Sequence, residues 1–459
     1  MLNVLCLFKV YWRLIALEIM MGNITLEHFI TIEHLRDEWT FARADTQYGL
    51  HGLHPYPARM IPQIASKALN IYAKDCNLVL DPFCGSGTVL VESAIHGMNA
   101  IGIDINPLAV FLSETKAKML DPKVLKNAIQ QLKECQKKVI SQEVNTDERQ
   151  VMKILRIRKG LPNIEYWFKV EVIRELAKLE AFILTNYSNT ALRNILYLCL
   201  SLTARKVSNV YWDSDTFIKR RKKEELTSFN PNVIATFKSM IQHVHKKLCE
   251  TLSILRTCKK LGKVHVIQAN SLKMPLEDNS VDFVLTSPPY GEEKNTVSYT
   301  RWAKISLYWL PIEYFRKLEL AKKQSLGASH TISTIIRNTL ARKIVEISEE
   351  LQDIVKHLKS KRKTKLLDNI LAFFADYYQA LNEIYRVLKS NRNAVIVIGD
   401  RSIAGYRVQM NRITSDFAKD IGFSILRIHY RRIPRKSIPW QCAKGETISK
   451  ENIIVLRKV

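Results

Sequence analysis

The sequence has no CxxC pair and no cysteine–histidine cluster at zinc-binding spacing. Its eight cysteines lie scattered at positions 6, 76, 84, 135, 199, 249, 258 and 442, a usage that fits a reducing cytoplasm and implies no metal. His243-x-His245 stands in a basic, helix-patterned segment without an acidic or cysteine ligand nearby, which argues against a metal there as well. No uninterrupted apolar run reaches the roughly 18 residues needed to span a bilayer, so no membrane partner is expected. The apolar N-terminus, MLNVLCLFKVYWRLIALEIMMGN, is broken by Lys9, Arg13 and Glu18 and lacks a small-residue cleavage site. It reads as a short extension rather than a signal peptide, with Met20 or Met21 as an alternative natural start. A GxxxxGK[ST] motif is missing, as is the third glycine of GxGxxG, which removes support for phosphoryl or hydride transfer. Internal repeats and low-complexity linkers are also absent.

Acidic residues are in short supply. Against 70 Lys+Arg stand 44 Asp+Glu, a formal charge of +26, which points to a large anionic partner, with nucleic acid ahead of a membrane surface. The apolar fraction of 47% is ordinary for a globular chain, and 459 residues suffice for a large core.

Seven segments read as strands from their β-branched runs and flanking turn signals: 78–80, 100–103, 264–267, 281–285, 394–398, 423–428 and 453–456. Helix patterns separate most of them, and Asn106-Pro107 has the form of an N-cap followed by proline at the first helical position. Alternation of strand and helix predicts an α/β fold with a doubly wound, mostly parallel sheet. Two basic, helix-patterned stretches interrupt it. Residues 117–261 include the run Lys219 to Lys223, and residues 311–375 include Lys359-Ser-Lys-Arg-Lys-Thr-Lys365. Such runs are either solvated faces or nucleic-acid contacts.

After the first strand comes Asp81-Pro-Phe-Cys-Gly-Ser-Gly-Thr88, followed by a helix pattern. Glycines at a strand-to-helix turn let backbone amides approach a ligand, and Asp104, ending the second strand, is placed where an acid can bind ribose hydroxyls. An adenosine-containing cofactor is implied. The fourth strand runs into Thr286-Ser-Pro-Pro-Tyr-Gly291, where consecutive prolines end the sheet and leave a stiff loop with one hydroxyl, free carbonyls and an aromatic ring.

These residues resemble the motifs of the S-adenosylmethionine-dependent DNA amino-methyltransferases, the cytosine-N4 and adenine-N6 methylases. Asp81 to Thr88 is similar to their cofactor loop, Ser287-Pro-Pro-Tyr290 to their catalytic motif, and His54-Pro-Tyr-Pro-Ala-Arg-Met-Ile-Pro62 to the segment beside the cofactor's methionine portion. The resemblance covers roughly residues 48–115 and 262–310, and the C-terminal strands more loosely. It implies a seven-stranded Rossmann-like methyltransferase sheet with large helical insertions. S-adenosyl-L-methionine would be held by Asp81, Pro82, Phe83, Cys84, Gly85, Ser86, Gly87, Thr88, Asp104, Ile105, Asn270, Ser271, Tyr56, Pro57 and Ile61. Asn270 stands where the family often has an acid. Catalysis would rest with Ser287, Pro288, Pro289 and Tyr290, the first two accepting hydrogens of an exocyclic amine and Tyr290 stacking on a flipped base.

The implied partner is double-stranded DNA, and the resemblance also admits a cognate restriction endonuclease. Lys361, Arg362, Lys363, Arg432 and Lys436 are expected to bind DNA; the last two belong to the proline-containing basic segment Arg431 to Pro439. Gly291 to Trp302 lines a nucleic-acid channel or, alternatively, forms a helix start with Trp302 in the core. The expected organisation is an extension over 1–40, the cofactor half of the core over 41–116, a basic helical insertion over 117–261, and the catalytic half over 262–459 with a second insertion at 311–375. Cytosine N4 is preferred to adenine N6 because the motif begins with Ser287 rather than an acid. Methylation of RNA or of a protein glutamine is the alternative, and a non-enzymatic nucleic-acid binder a weaker one.

Overall fold

A computed structural model of the chain describes residues 39–140, 147–211, 219–291, 298–328, 334–433 and 450–459. The predicted strands all join one sheet: β1 (Leu78–Asp81), β2 (Asn99–Asp104), β3 (Val264–Gln268), β4 (Val281–Thr286), β5 (Leu388–Gly399), β6 (Phe423–Arg432) and β7 (Lys450–Lys458). Their order across the sheet is β6-β7-β5-β4-β1-β2-β3. Pairing is parallel from β3 to β5, while β7 runs antiparallel between β5 and β6. This is the Rossmann-like methyltransferase sheet the sequence led us to expect. Because the order reverses beside β1 and β4, their C-terminal ends diverge into a crevice, the usual ligand position in such sheets.

The central strands are apolar on both faces because helices cover both. Along β1 and β4 the side chains alternate. Val79, Phe283 and Leu285 face a core shared with α1 (Pro62–Tyr72), while Leu80 and Val284 face one shared with the later helices. Helix α2 (Thr88–Ile95) follows β1 and α3 (Pro107–Met119) follows β2. The side-chain carbonyl oxygen of Asn106 accepts from Leu108 N at 3.0 Å, the N-cap expected ahead of Pro107.

The stretch between α3 and β3 is helical, including α4 (Pro122–Ile140), α5 (Val170–Asn186), α6 (Thr190–Val207) and α7 (Val233–Thr257), and it packs with α3 into a third core. The run from Lys219 begins in a short strand, Lys219–Arg220, paired with Val210–Tyr211. Trp302 sits in α8 (Tyr299–Leu307), 1% exposed, with the Arg205 guanidinium 3.8 Å from its ring centroid. That resolves the two readings of this tryptophan in favour of the core. Further on, α9 (Glu349–Ser360) and α10 (Thr364–Val387) cover the opposite sheet face before β5, and α11 (Met410–Ile421) precedes β6. No helix among the described residues is long and apolar enough to cross a membrane.

Candidate active site

One cavity opens at the C-terminal ends of β1, β2 and β4, and loops distant in sequence meet in it. Asp81, Phe83, Cys84, Gly85, Ser86 and Thr88 line it from the loop after β1; Asp104 and Ile105 from the end of β2; Asn270 and Ser271 from the loop after β3; and Ser287 and Pro289 from the loop after β4. Tyr56 and Pro57 close one side. Of the other candidates, Pro82, Gly87, Pro288 and Tyr290 lie in the same loops, between residues that line the cavity but not themselves among them. Ile61, capping α1 just before Pro62, is not among the lining residues; it and Met60 both pack against the apolar core, and Met60 also lines the cavity.

The loop after β1 is held from behind. The Ser113 hydroxyl donates to Gly85 O at 2.9 Å, and the Lys116 ammonium donates to Ser86 O at 2.6 Å. Lys116 is fully buried, and desolvation pushes its pKa well below the ordinary lysine range. Gly85 and Gly87 sit at φ +50° and +79°, a left-handed backbone that residues with a Cβ rarely adopt, and a Cβ on Gly87 would come within 2.9 Å of Ser113 Oγ. Ahead of the loop, the Tyr56 segment is anchored by His54, whose Nε2 meets Ser201 Oγ of α6 at 3.0 Å, and by Gly49 N donating to Glu250 of α7 at 3.0 Å.

Two carboxylates dominate the electrostatics. Asp81 accepts from Phe83 N at 3.1 Å and from the Thr286 hydroxyl at 2.7 Å, so the end of β4 is tied to the end of β1. Asp104 accepts from Gly85 N at 2.9 Å and Asn106 N at 2.8 Å. Burial pushes Asp81 up to about 7 and Asp104 up to about 6 despite these bonds. A ligand bringing cationic centres and hydroxyl donors would relieve that desolvation. The Ser86 and Thr88 hydroxyls are buried in the cavity wall and have no hydrogen-bond partner among the described residues, as befits a wall completed by a polar ligand. Both features fit S-adenosylmethionine, which carries a sulfonium, an ammonium, a carboxylate and ribose hydroxyls. Asn270 Oδ1 already accepts from Leu272 N at 3.0 Å, leaving one lone pair for an adenine amino group, and Ser271 Oγ donates to Pro82 O.

In the loop after β4, Ser287 Oγ lies 3.3 Å from Tyr290 Oη, and that hydroxyl donates to Glu451 of β7 at 2.9 Å. Arg401 Nη1 donates to Tyr290 O at 3.3 Å. Sequence reasoning missed Glu451 and Arg401, which reach the loop only through strand pairing. It also missed Arg59, Met60, Tyr299, Gln324 and Ser325 in the cavity wall. Arg59 and Met60 were legible, since both stand inside the His54 to Pro62 motif.

Lys361, Arg362 and Lys363 form the exposed turn between α9 and α10 and do not line the cavity, and Arg432 is exposed at the end of β6. Lys436 lies outside the described residues, as does most of the extension over 1–40. No group of three His, Cys, Asp or Glu able to hold a metal ion occurs among the described residues. His243 Nε2 contacts Gly52 O at 3.0 Å.

The N6/N4 methyltransferase family, described as DNA methylase, matches residues 29–114. The Type II methyltransferase M.MvaI of Kocuria varians is 27% identical over 432 residues, spanning 91% of this chain and 92% of the relative. Type II methyltransferase M.AvaI of a Nostoc species is 25% identical over 369 residues, 77% of this chain and 75% of the relative. A tRNA (guanine(10)-N2)-dimethyltransferase of Methanocaldococcus jannaschii is 40% identical, but over 52 residues, 11% of this chain and 15% of the relative. The family match over residues 29–114, together with similarity along nearly the whole chain to a Type II methyltransferase, supports a DNA amino-methyltransferase of the N6/N4 methylase kind.

Proposed function

We propose that the protein is a site-specific DNA methyltransferase that acts on an exocyclic amino group, cytosine N4 ahead of adenine N6. The observation that carries this reading is the single cavity lined by Ser287 and Pro289 together with Asp81, Gly85 and Asp104. The near full-length similarity to a Type II methyltransferase supports DNA over RNA, since the tRNA enzyme matches over 11% of the chain alone. S-adenosyl-L-methionine, when bound, supplies an electrophilic methyl group on a positively charged sulfur.

Asp81 and Asp104 would hold the cofactor's ammonium and ribose hydroxyls, and Ser86 and Thr88 its remaining polar groups. An exocyclic amine is a poor nucleophile because its lone pair is delocalised into the ring. Ser287 Oγ and the Pro288 carbonyl accept its two hydrogens, which draws the nitrogen out of conjugation, and the prolines keep that carbonyl from relaxing. The nitrogen lone pair would then be free for the methyl group that the cofactor supplies, with Ser287 Oγ and the Pro288 carbonyl holding the amine hydrogens until one is lost as a proton to water. A base within a duplex reaches this site by flipping, at about a few kcal/mol, and Tyr290 stacks on it.

The core halves are assigned to residues 41–116 and 262–459, and the basic helices of 117–261 and 311–375 to duplex contact. Lys361, Arg362, Lys363 and Arg432 are the proposed phosphate ligands. Incubation with isotopically labelled S-adenosylmethionine and mixed DNA and RNA, followed by nucleoside mass spectrometry, tests the reading. Labelled N4-methylcytosine or N6-methyladenine in DNA is expected; label in RNA alone, or in neither, overturns it.

A further inference from the structure

We propose that Glu451 is a positioning residue: through Tyr290 it fixes the direction of the Ser287 hydroxyl, so that Ser287 meets the target amine as an acceptor only. The inference rests on the functional reading above and adds a residue outside the motifs that carry it.

An ionised carboxylate accepts hydrogen bonds and donates none. The Tyr290 hydroxyl, 2.9 Å from Glu451 Oε1, therefore gives its hydrogen to Glu451. Towards Ser287, 3.3 Å away, the phenol oxygen has lone pairs and no hydrogen left, so the bond between the two hydroxyls runs from serine to tyrosine. Serine has one hydrogen. With that hydrogen directed at Tyr290, both serine lone pairs are free for the hydrogen of an exocyclic amine. Without Glu451, either hydroxyl could be the donor, and half of the arrangements would block a lone pair.

The surroundings reinforce this polarity. Glu451 pairs across the sheet with Arg431 of β6 and Gly399 of β5, which places it at the end of the sheet where the catalytic loop emerges. The Arg431 guanidinium faces the second carboxylate oxygen, Nε to Oε2, at 2.9 Å, with the two side chains only 6% and 15% exposed. Burial and the neighbouring carboxylate push the Tyr290 phenol well above its ordinary range, so it remains a donor throughout the working pH. Arg401 on the Tyr290 carbonyl holds the backbone of the same residue. The loop is thereby gripped at both ends of one tyrosine.

Glu451→Gln is the sharpest test because it is isosteric and reverses the bond. Its amide oxygen turns to Arg431 and its NH2 to Tyr290, which must then donate to Ser287 and occupy a lone pair. The single-turnover methylation rate should fall about tenfold, with cofactor and DNA affinity within about twofold of wild type. In a Tyr290→Phe background there is no hydroxyl to transmit the change, so Glu451→Gln should cause no further slowing. An equal slowing in both backgrounds, or a wild-type rate for Glu451→Gln, overturns the proposal. A second readout needs no turnover: 3-fluorotyrosine placed at 290 should shift its 19F resonance and titrate at lower pH in Glu451→Gln. An unchanged resonance means that Glu451 does not hold Tyr290. A wild-type protein that methylates no nucleic acid overturns the functional reading instead, and the fluorine signal still decides the Glu451–Tyr290 contact.

Discussion

The loops after β1 and β4 face one cavity, yet they are built in opposite ways. The β1 loop is fixed by residues within about 30 positions of it: two left-handed glycines, Asp104 at the end of β2, and Ser113 and Lys116 from α3. The β4 loop is stiffened internally by its prolines and anchored by Arg401, just past β5, and Glu451 of β7, both far along the chain. On the proposed function, a cofactor exchanged every turnover suits a locally encoded cradle, and a hydroxyl presenting a lone pair to a visiting base suits a loop held from distant strands.

Ser287→Ala attacks the second loop alone and should have the largest effect, lowering the single-turnover methylation rate by about 10²–10³-fold while leaving cofactor affinity unchanged by calorimetry. A full rate would remove the hydroxyl from the chemistry. Gly87→Ala attacks the first loop. A left-handed backbone costs a residue with a Cβ about 1–2 kcal/mol, and the new methyl meets Ser113, so cofactor affinity should weaken roughly tenfold in a protein that still folds. Should the methylation rate at saturating cofactor fall as far as in Ser287→Ala, the separation of the loops fails.

The third test uses pH. Asp81 and Asp104 have folded-state values of about 7 and about 6 against 3.8 for an unperturbed carboxyl. Raised in this way, each favours the ligand-free fold fully below pH 3.8 and gives up that contribution as pH rises through about 6 and about 7. A cationic ligand compensates the ionised carboxylates, so S-adenosylmethionine should bind several-fold more tightly at about pH 7.5 than at about pH 5.5, with Asp81→Asn removing most of the difference. Affinity flat with pH would detach the carboxylates from the ligand. The smallest effect lies outside both loops. Replacing Lys361, Arg362 and Lys363 by glutamine should leave cofactor binding intact and flatten the salt dependence of DNA binding, by about 0.9 in log–log slope for each phosphate no longer neutralised. An unaltered slope returns that turn to the role of a solvated surface.

The two loops also explain what the sequence made legible. Strand existence was readable because β-branched runs such as Val281 to Leu285 are punctuated by turn residues, and the first loop because glycine spacing and a strand-ending acid are local signals. The Asn106 cap was equally local. Ile61, just ahead of the helix that begins at Pro62, is not among the residues lining the cavity, whereas the adjacent Met60 is. Glu451 carried no signal at all: a lone acid in a C-terminal strand gains meaning only when β7 inserts between β5 and β6. Trp302 likewise had two readings until α6 supplied Arg205 to cover its ring.

The Thr286 hydroxyl on Asp81 joins these two constructions at one oxygen, which also receives Phe83 N. Whatever draws charge from that oxygen on the cofactor side alters the tether on the catalytic side, and the reverse holds equally. Linkage then demands symmetry: the factor by which S-adenosylmethionine changes affinity for DNA equals the factor by which DNA changes affinity for S-adenosylmethionine. A single buried threonine thus ties the loop proposed to hold the cofactor to the loop proposed to meet the target amine.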